Sequence, residues 1–238
     1  MKISLIIPAY NEEAYIGACL DAAQKAAGSQ FFEIIVIDNA STDRTSEVAS
    51  TRPGIRVVQE DKKGLTQARQ RGYVEAKGDI LAYIDADTRM PQGWYETLVK
   101  EFTQQPQLAC LSGPYIYYDA PRWQQLLVKY GWWYLLAYPT SLVIGYMAIG
   151  GNFAIRREVL DKMSGFDTTI AFYGEDTNIA RRAHEHGRVQ FSPTFVMYTS
   201  NRRLQGQGFW TTGWLYLKNF LSEVVLHRPS TQAYQDIR

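Results

Sequence analysis

The first 85 residues alternate between apolar runs and amphipathic stretches, and no other feature restricts the fold as strongly. "ISLIIP" (3–8) reads as a buried strand and "EEAYIGACLDAAQKAA" (12–27) as an amphipathic helix. "FEIIVID" (32–38) is the next strand, and "STDRTSEVAS" (41–50) opens on Ser, Thr and Asp capping residues before continuing as a helix. "IRVVQE" (55–60), "LTQARQRGYVEAK" (65–77) and "DILAYID" (79–85) repeat strand, helix, strand. Strands that are apolar throughout, set between helices, imply a sheet covered on both faces. The predicted class is therefore α/β, with a Rossmann-like, mostly parallel central sheet and helices on both sides.

In such sheets ligands bind beyond the carboxyl ends of the strands. The first strand runs into Pro8-Ala9-Tyr10-Asn11-Glu12, the second into Asp38-Asn39-Ala40-Ser41-Thr42-Asp43, and the fourth into Asp85-Ala86-Asp87. All three polar clusters should share one rim. On an extended backbone, Asp85 and Asp87 face the same way, with their carboxyl groups ~7 Å apart. Their repulsion is on the order of 2 kcal/mol at an effective dielectric near 20. Water at an exposed strand end can offset that cost, and so can a divalent cation, whose natural ligands are hard oxygens.

The second half is less regular. A helix is expected over 91–104 with Pro91 near its start, and "LACLSGPYIYYD" (108–119) reads as strand broken at Gly113-Pro114. "GNFAIRR" (151–157) is a further strand followed by the helix "REVLDKMSG". "GEDTNIARRAHEHG" (174–187) is a helix carrying Glu175 and Asp176 in its first turn, where the helix dipole favours acids. A last helix covers 207–226.

The formal charge of +1 provides no field to attract nucleic acid, so no nucleic-acid partner is expected. Two cysteines, Cys19 and Cys110, lie far apart and have no zinc spacing, so they read as small core residues in a reducing compartment. "MKISLIIPAYNEE" lacks a secretory apolar region, and the expected location is cytoplasmic. No charged residue occurs from Tyr130 to Ile155, a span as long as the ~20 residues of a membrane helix. Gly131, Pro139, Gly145 and Asn152 argue against a simple one. Trp210, Trp214, Leu217, Leu221 and Val224 form a second apolar stripe at helical spacing. Three readings fit both stretches: core packing, a homodimer contact, or peripheral contact through 126–150 and 207–226 with the inner face of a membrane.

"IIPAYNEE", "IDNASTDRT", "KKGLTQARQRG", "YIDADT", "GGNFAIRRE" and "GEDTNIARR" occur in the order found in family-2 glycosyltransferases, which the chain resembles over about residues 3 to 190. The resemblance implies the A-type (GT-A) fold. It divides the chain into one catalytic domain over 1–200, with a nucleotide-binding half (1–105) and an acceptor half (106–200), and a C-terminal loop and amphipathic helix over 201–238. It also implies inverting transfer of a sugar from a nucleotide diphosphate sugar to the hydroxyl of a glycan or lipid-linked acceptor, with Mn²⁺ or Mg²⁺ as cofactor. Such an activity would belong to cell-envelope polysaccharide synthesis.

Residue by residue, the resemblance assigns Asp87 to the metal and Asp85 to ribose or sugar. Pro8, Tyr10, Glu12, Asp38, Arg69, Gly151, Asn152 and Glu175 join the donor site, and Asp176 becomes the catalytic base. Chemistry agrees at several of these positions. Tyr10 can stack on a base, and Glu12 and Asp38 can accept hydrogen bonds from ring N–H or hydroxyl groups. A carboxylate such as Asp176 can take the acceptor proton, and Glu175 beside it should raise the proton affinity of the pair. Gly150-Gly151-Asn152 can let backbone approach sugar or acceptor. Asp43 reads as a helix cap, Lys63 stands where the family commonly has asparagine, and Thr199–Arg203 can form a phosphate loop. Tyr198-Thr199-Ser200 occupies the region where some relatives place a metal-ligating histidine. The competing readings are a non-catalytic nucleotide-sugar-binding module and a sugar nucleotidyltransferase. The latter needs a glycine- and base-rich loop after the first strand, where this chain has Tyr10-Asn11-Glu12-Glu13.

Overall fold

The computed structural model describes residues 1–170, 172–226, 230 and 231. Part of the predicted C-terminal segment, 227–229 and 232–238, lies outside the described residues. The chain opens with β1 (Ile3–Ala9), α1 (Ile16–Ala27), β2 (Glu33–Asp38), α2 (Thr45–Ser50), β3 (Ile55–Gln59), α3 (Leu65–Glu75) and β4 (Ile80–Ile84). Next come β5 (Thr88–Arg89), α4 (Trp94–Gln104), β6 (Leu108–Ser112), β7 (Tyr115–Tyr117), α5 (Arg122–Leu126) and α6 (Tyr138–Ile144). The chain continues through β8 (Asn152–Arg156), α7 (Arg157–Lys162), α8 (Glu175–His184), β9 (Arg188–Phe191), β10 (Met197–Thr199), α9 (Arg202–Gln207) and α10 (Phe209–Leu226).

The seven-stranded main sheet has the order β3-β2-β1-β4-β8-β6-β9. Its first four strands are parallel, as the alternating pattern requires, with Ile6 beside Ile35 and Tyr83 across β1 and its neighbours. β8 is antiparallel to both β4 and β6, and β6 is parallel to β9, so the sheet is mostly but not wholly parallel. Every residue of β1 and β4 is buried, because helices lie on both faces. α1 and α4 cover one face around Leu5, Ile7, Leu20 and Leu98. α3, α7 and α8 cover the other around Ile6, Tyr83, Phe153 and Ile179. Cys19 and Cys110 are buried in these two layers.

A second, three-stranded sheet, β5-β10-β7, ties the segment after Asp87 to the segments around Tyr115 and Thr199. This small sheet brings residues from distant parts of the chain to the carboxyl end of β4. Helix starts differ from the sequence reading at the same rim. α1 begins at Ile16 rather than residue 12, and Asn11 adopts a positive φ of 52°. The polar residues before the helices make loops that turn back over the strand ends.

Between α5 and α6 the chain continues as a π-helical segment, Leu127–Ala137, in which the Tyr138 amide bonds to the Trp133 carbonyl. Val128, Trp133 and Ala137 pack inward on Met147 and Phe191, while Leu135 and Val143 are 78% and 87% exposed. Among the described residues, no helix is long and apolar enough to cross a membrane.

Candidate active site

One cavity of about 690 Å³ lies beyond the carboxyl ends of β1 and β4. Pro8 and Glu12 after β1, Arg69 from α3, Asp85 and Asp87 after β4, Gly151 before β8, and Glu175 and Asp176 of α8 all line it. The fold therefore gathers most of the residues picked out in sequence. The reason for the shared orientation of Asp85 and Asp87 is different from that expected. β4 ends at Ile84, and Asp85 opens a tight turn in which both the amide and the hydroxyl of Thr88 donate to the Asp85 carbonyl, at 3.2 and 2.7 Å. The two aspartates face the cavity from a turn, not from alternate positions on a strand.

Two arginines organise this acidic end. Arg69 is 1% exposed, and its Nη2 donates to the Gly150 carbonyl at 2.7 Å. The same guanidinium lies 3.4 Å from Glu175 Oε1 and 3.9 Å from Asp85 Oδ1. It is a buried counter-ion joining α3, the end of β4 and the start of α8. Arg202, at the start of α9, donates through Nη2 to Glu12 Oε1 at 2.6 Å and through Nε to Asp87 Oδ2 at 2.8 Å. Its guanidinium also packs 4.7 Å from the centre of the Tyr15 ring. Thr199 donates to Asp87 Oδ1 at 3.3 Å, and the Tyr115 hydroxyl donates to Asp85 Oδ2 at 3.0 Å. Sequence reasoning placed Arg202 only within a phosphate loop and did not find Tyr115.

Several expected donor-site residues have other partners. Asn152 is fully buried: its Oδ1 accepts from the Trp94 indole at 3.0 Å, and its Nδ2 donates to the Gly113 and Phe195 carbonyls. With its amide spent on the scaffold, Asn152 does not line the cavity. Asp38 is also withdrawn, accepting from the Ser41 amide, the Ser46 hydroxyl at 2.5 Å and the Gln59 amide at 3.1 Å. It braces the start of α2 and does not line the cavity. Tyr10 does not line it either; Lys63 Nζ donates to its hydroxyl at 2.7 Å and lies 3.9 Å from the ring centre. The ring expected to stack on a base therefore carries an ammonium group.

Gly150 and Gly151 line the cavity and leave room there for the protein's own side chains. A Cβ on Gly150 would lie 2.6 Å from Arg69, and one on Gly151 would overlap the Tyr115 hydroxyl and lie 2.2 Å from the Asp85 carboxylate. Asp43 caps as expected, accepting from the amide and hydroxyl of Thr45 at 3.0 and 2.5 Å.

Charge states follow from enclosure. Burial pushes the Asp176 carboxyl up to about 7, and the neighbouring Glu175 charge adds to the rise. The Thr177 amide, which donates to Asp176 Oδ1 at 2.8 Å, and the Arg69 charge act in the opposite sense. Burial also raises Asp87, opposed chiefly by Arg202 and assisted by Asp85. Burial and the Asp85 charge hold the Tyr115 phenol well above its ordinary value.

The donor set around Asp87 is all hard oxygen and already holds a positive group, the Arg202 guanidinium, as a stand-in cation. Its chemistry fits Mn²⁺ or Mg²⁺. The protein's share is small, however. Among the described residues, no group of three or more His, Cys, Asp or Glu is placed to hold a metal. In the region where some relatives place a histidine ligand, Thr199 donates to Asp87.

The Glycosyl transferase family 2 profile matches residues 4–164, more than half of the chain. The chain belongs to glycosyl transferase family 2. Dolichol-phosphate mannosyltransferase of Pyrococcus furiosus is 28% identical over 179 residues, covering 68% of this chain and 48% of that protein. Glycosyltransferase AglE of Haloferax volcanii is 27% identical over 200 residues, 82% of this chain and 64% of its own length. The chain thus spans less than two thirds of these family members.

Mannosyltransferase PcManGT from Pyrobaculum calidifontis, solved with GDP-Man and Mn²⁺, superposes with a TM-score of 0.70 at 21% identity. The match covers 95% of this chain and 63% of that one. Glucosyl-3-phosphoglycerate synthase from Mycobacterium tuberculosis, solved with Mn²⁺, UDP and phosphoglyceric acid, gives 0.67 at 22% identity over 95% of this chain and 78% of that one. These likenesses establish the expected GT-A fold.

Proposed function

We propose that the chain transfers a sugar, with inversion, from a nucleotide diphosphate sugar to an acceptor hydroxyl. One observation carries the reading: in a family 2 chain, Asp85, Asp87 and Asp176, from two distant segments, line a single cavity with Arg69 and Arg202. Asp176 takes the acceptor proton while the acceptor oxygen forms its bond to the anomeric carbon. The bond from that carbon to the β-phosphate oxygen breaks, and the nucleoside diphosphate leaves with the electron pair. An Asp176 carboxyl held at about 7 suits a base working near neutrality. Arg69 fixes Glu175, and through it the first turn of α8, so that Asp176 keeps its aim.

Asp87, with Asp85 beside it, would hold Mn²⁺ or Mg²⁺, which when bound supplies Lewis-acid neutralisation of charge on the departing diphosphate. Glu12 and Asp85 are the carboxylates left to accept from ribose or sugar hydroxyls. The charge of Arg202 and Arg203 at the same end suits phosphate oxygens.

The acceptor side of the cavity is apolar. Leu127, Trp132, Leu136, Trp210, Trp214 and Leu221 line it, and the exposed outer faces of the same helices carry Leu135, Val143 and Val225. This favours an acceptor with a lipid tail, approached from a membrane surface. The deciding experiment is a thermal-shift screen with UDP, GDP, CDP and dTDP, with and without Mn²⁺, followed by a sugar-release assay on the nucleotide selected. A melting temperature unmoved by all four with Mn²⁺ present would refute the reading.

A further inference from the structure

One side chain of the site already pairs with two of its carboxylates as a cation would. Arg202 spans two carboxylates that are not adjacent in sequence, Glu12 and Asp87, with bonds of 2.6 and 2.8 Å. Its Nε occupies the Asp87 oxygen that faces it, and Thr199 takes the other oxygen. A divalent ion placed on that carboxylate would stand beside the guanidinium charge, and repulsion between the two cations means that it must displace the arginine or bind weakly. The remaining protein ligands are too few to drive the displacement, since no larger cluster of acids or histidines adjoins Asp87 among the described residues.

The backbone below Arg202 is fixed while its side chain is long. Ser200 Oγ and the Asn201 amide both donate to Asp119, each at 2.7 Å, and α9 stops at Gly208, whose φ is 84°. The guanidinium can therefore change partner by rotation about its own side-chain bonds, with no unfolding of the arm. A diphosphate offers it planar pairs of anionic oxygens, the geometry a guanidinium matches best. The same diphosphate brings the oxygen ligands that a small hard cation lacks here.

We propose that Arg202 is the resident counter-cation of this site: it holds Glu12 and Asp87 while donor is absent and passes to the diphosphate when donor binds. A divalent ion then reaches Asp87 only together with a nucleotide diphosphate, never ahead of it. The inference rests on the donor site proposed above and adds to it an order of assembly.

The test is binding of Mn²⁺ alone, followed by the loss of the free-ion paramagnetic resonance signal in the absence of nucleotide. Wild-type protein should bind Mn²⁺ at least tenfold more weakly than Arg202→Gln, and Arg202→Lys should fall between them. Adding Asp87→Asn to Arg202→Gln should abolish the gain. A purely structural role for Arg202 would lower the melting temperature of Arg202→Gln but leave its affinity for Mn²⁺ alone unchanged, and that result overturns the proposal. Wild-type protein that binds Mn²⁺ as tightly without UDP or GDP as with them overturns it too. Should Arg202→Gln fail to fold, Arg202→Lys decides: no gain over wild type is again refutation. If Mn²⁺ behaves as expected while no nucleoside diphosphate binds, the donor reading fails and not the exchange of ion for arginine at Asp87.

Discussion

Arg69 and Glu175 lie 106 positions apart, yet the guanidinium Nη1 stands 3.4 Å from the carboxylate in a buried contact between α3 and α8. The same arginine holds the Gly150 carbonyl, so a single side chain unites α3 with the helix carrying Asp176. Breaking a buried pair by removing one member strands the other charge, at a cost of about 3–5 kcal/mol. Arg69→Met should therefore lose about that much stability in urea unfolding. Arg69→Met/Glu175→Gln should recover part of the loss, because the buried Glu175 charge is then no longer left without its partner. A double variant no more stable than Arg69→Met would show that the pair is not coupled.

Asp176 supplies the pH dependence. Its carboxyl titrates at about 7 in the folded chain, against an ordinary value of 3.8. A base works only when deprotonated, so kcat/KM, which reports the free enzyme, should rise through about pH 7 and level off above it. Asp176→Asn should reduce transfer by at least about a thousandfold with donor affinity kept within a few fold. Stability runs the other way. The folded state holds this proton more tightly than the unfolded chain, so the group weakens the fold progressively as pH rises from about 4 to about 7. Because Asp176 is partly open to the cavity, the gain in Asp176→Asn at pH 8 should be only on the order of 1–2 kcal/mol, and absent at pH 4. Equal melting temperatures for the two proteins at both pH values would contradict the assigned titration.

Asn152 separates a scaffold residue from a ligand. Asn152→Ala leaves the Trp94 indole N–H and the Gly113 and Phe195 carbonyls buried without their partner. Each unsatisfied group costs about 1–3 kcal/mol, with part recovered by relaxation, so a loss of about 2–4 kcal/mol is expected in chemical unfolding. Donor affinity of the folded variant, measured by calorimetry, should stay within about twofold of wild type. A tenfold loss of donor affinity without a loss of stability would restore the ligand role that the motif suggested.

The contrast between Asn152 and Asp87 shows where sequence reading reaches and where it stops. β1, β2 and β4 were legible because a strand covered on both faces must be apolar throughout, and their polar ends then fall on one rim. Motifs in family order located Glu12, Asp85, Asp87 and Asp176 in the cavity. What motifs do not encode is which oxygen each side chain spends within the protein. Asn152 faces Trp94 because β8 runs antiparallel to β4, a pairing that apolar content alone does not reveal. Arg202 finds Asp87 and Glu12 across 115 and 190 positions, and only the closure of the small sheet brings them together. Paired arginines in a polar loop give no local signal of such partners.

The apolar rim offers the last test. Leu135 and Val143 are among the most exposed large hydrophobic side chains, and neither lines the cavity. Substituting both therefore probes the surface without touching the proposed reaction site. Burying each side chain in a lipid interface is worth about 1–2 kcal/mol, and placing an acid there adds a penalty against anionic headgroups. Leu135→Glu/Val143→Glu should thus weaken co-sedimentation with phosphatidylglycerol-containing vesicles by at least about tenfold, with donor-binding thermal shifts unchanged. Light scattering of the wild-type protein distinguishes the other explanation for the same surface. A wild-type dimer that the double substitution converts to monomer, with no vesicle binding in either protein, would assign these side chains to a second copy of the chain and remove the support for a lipid-linked acceptor.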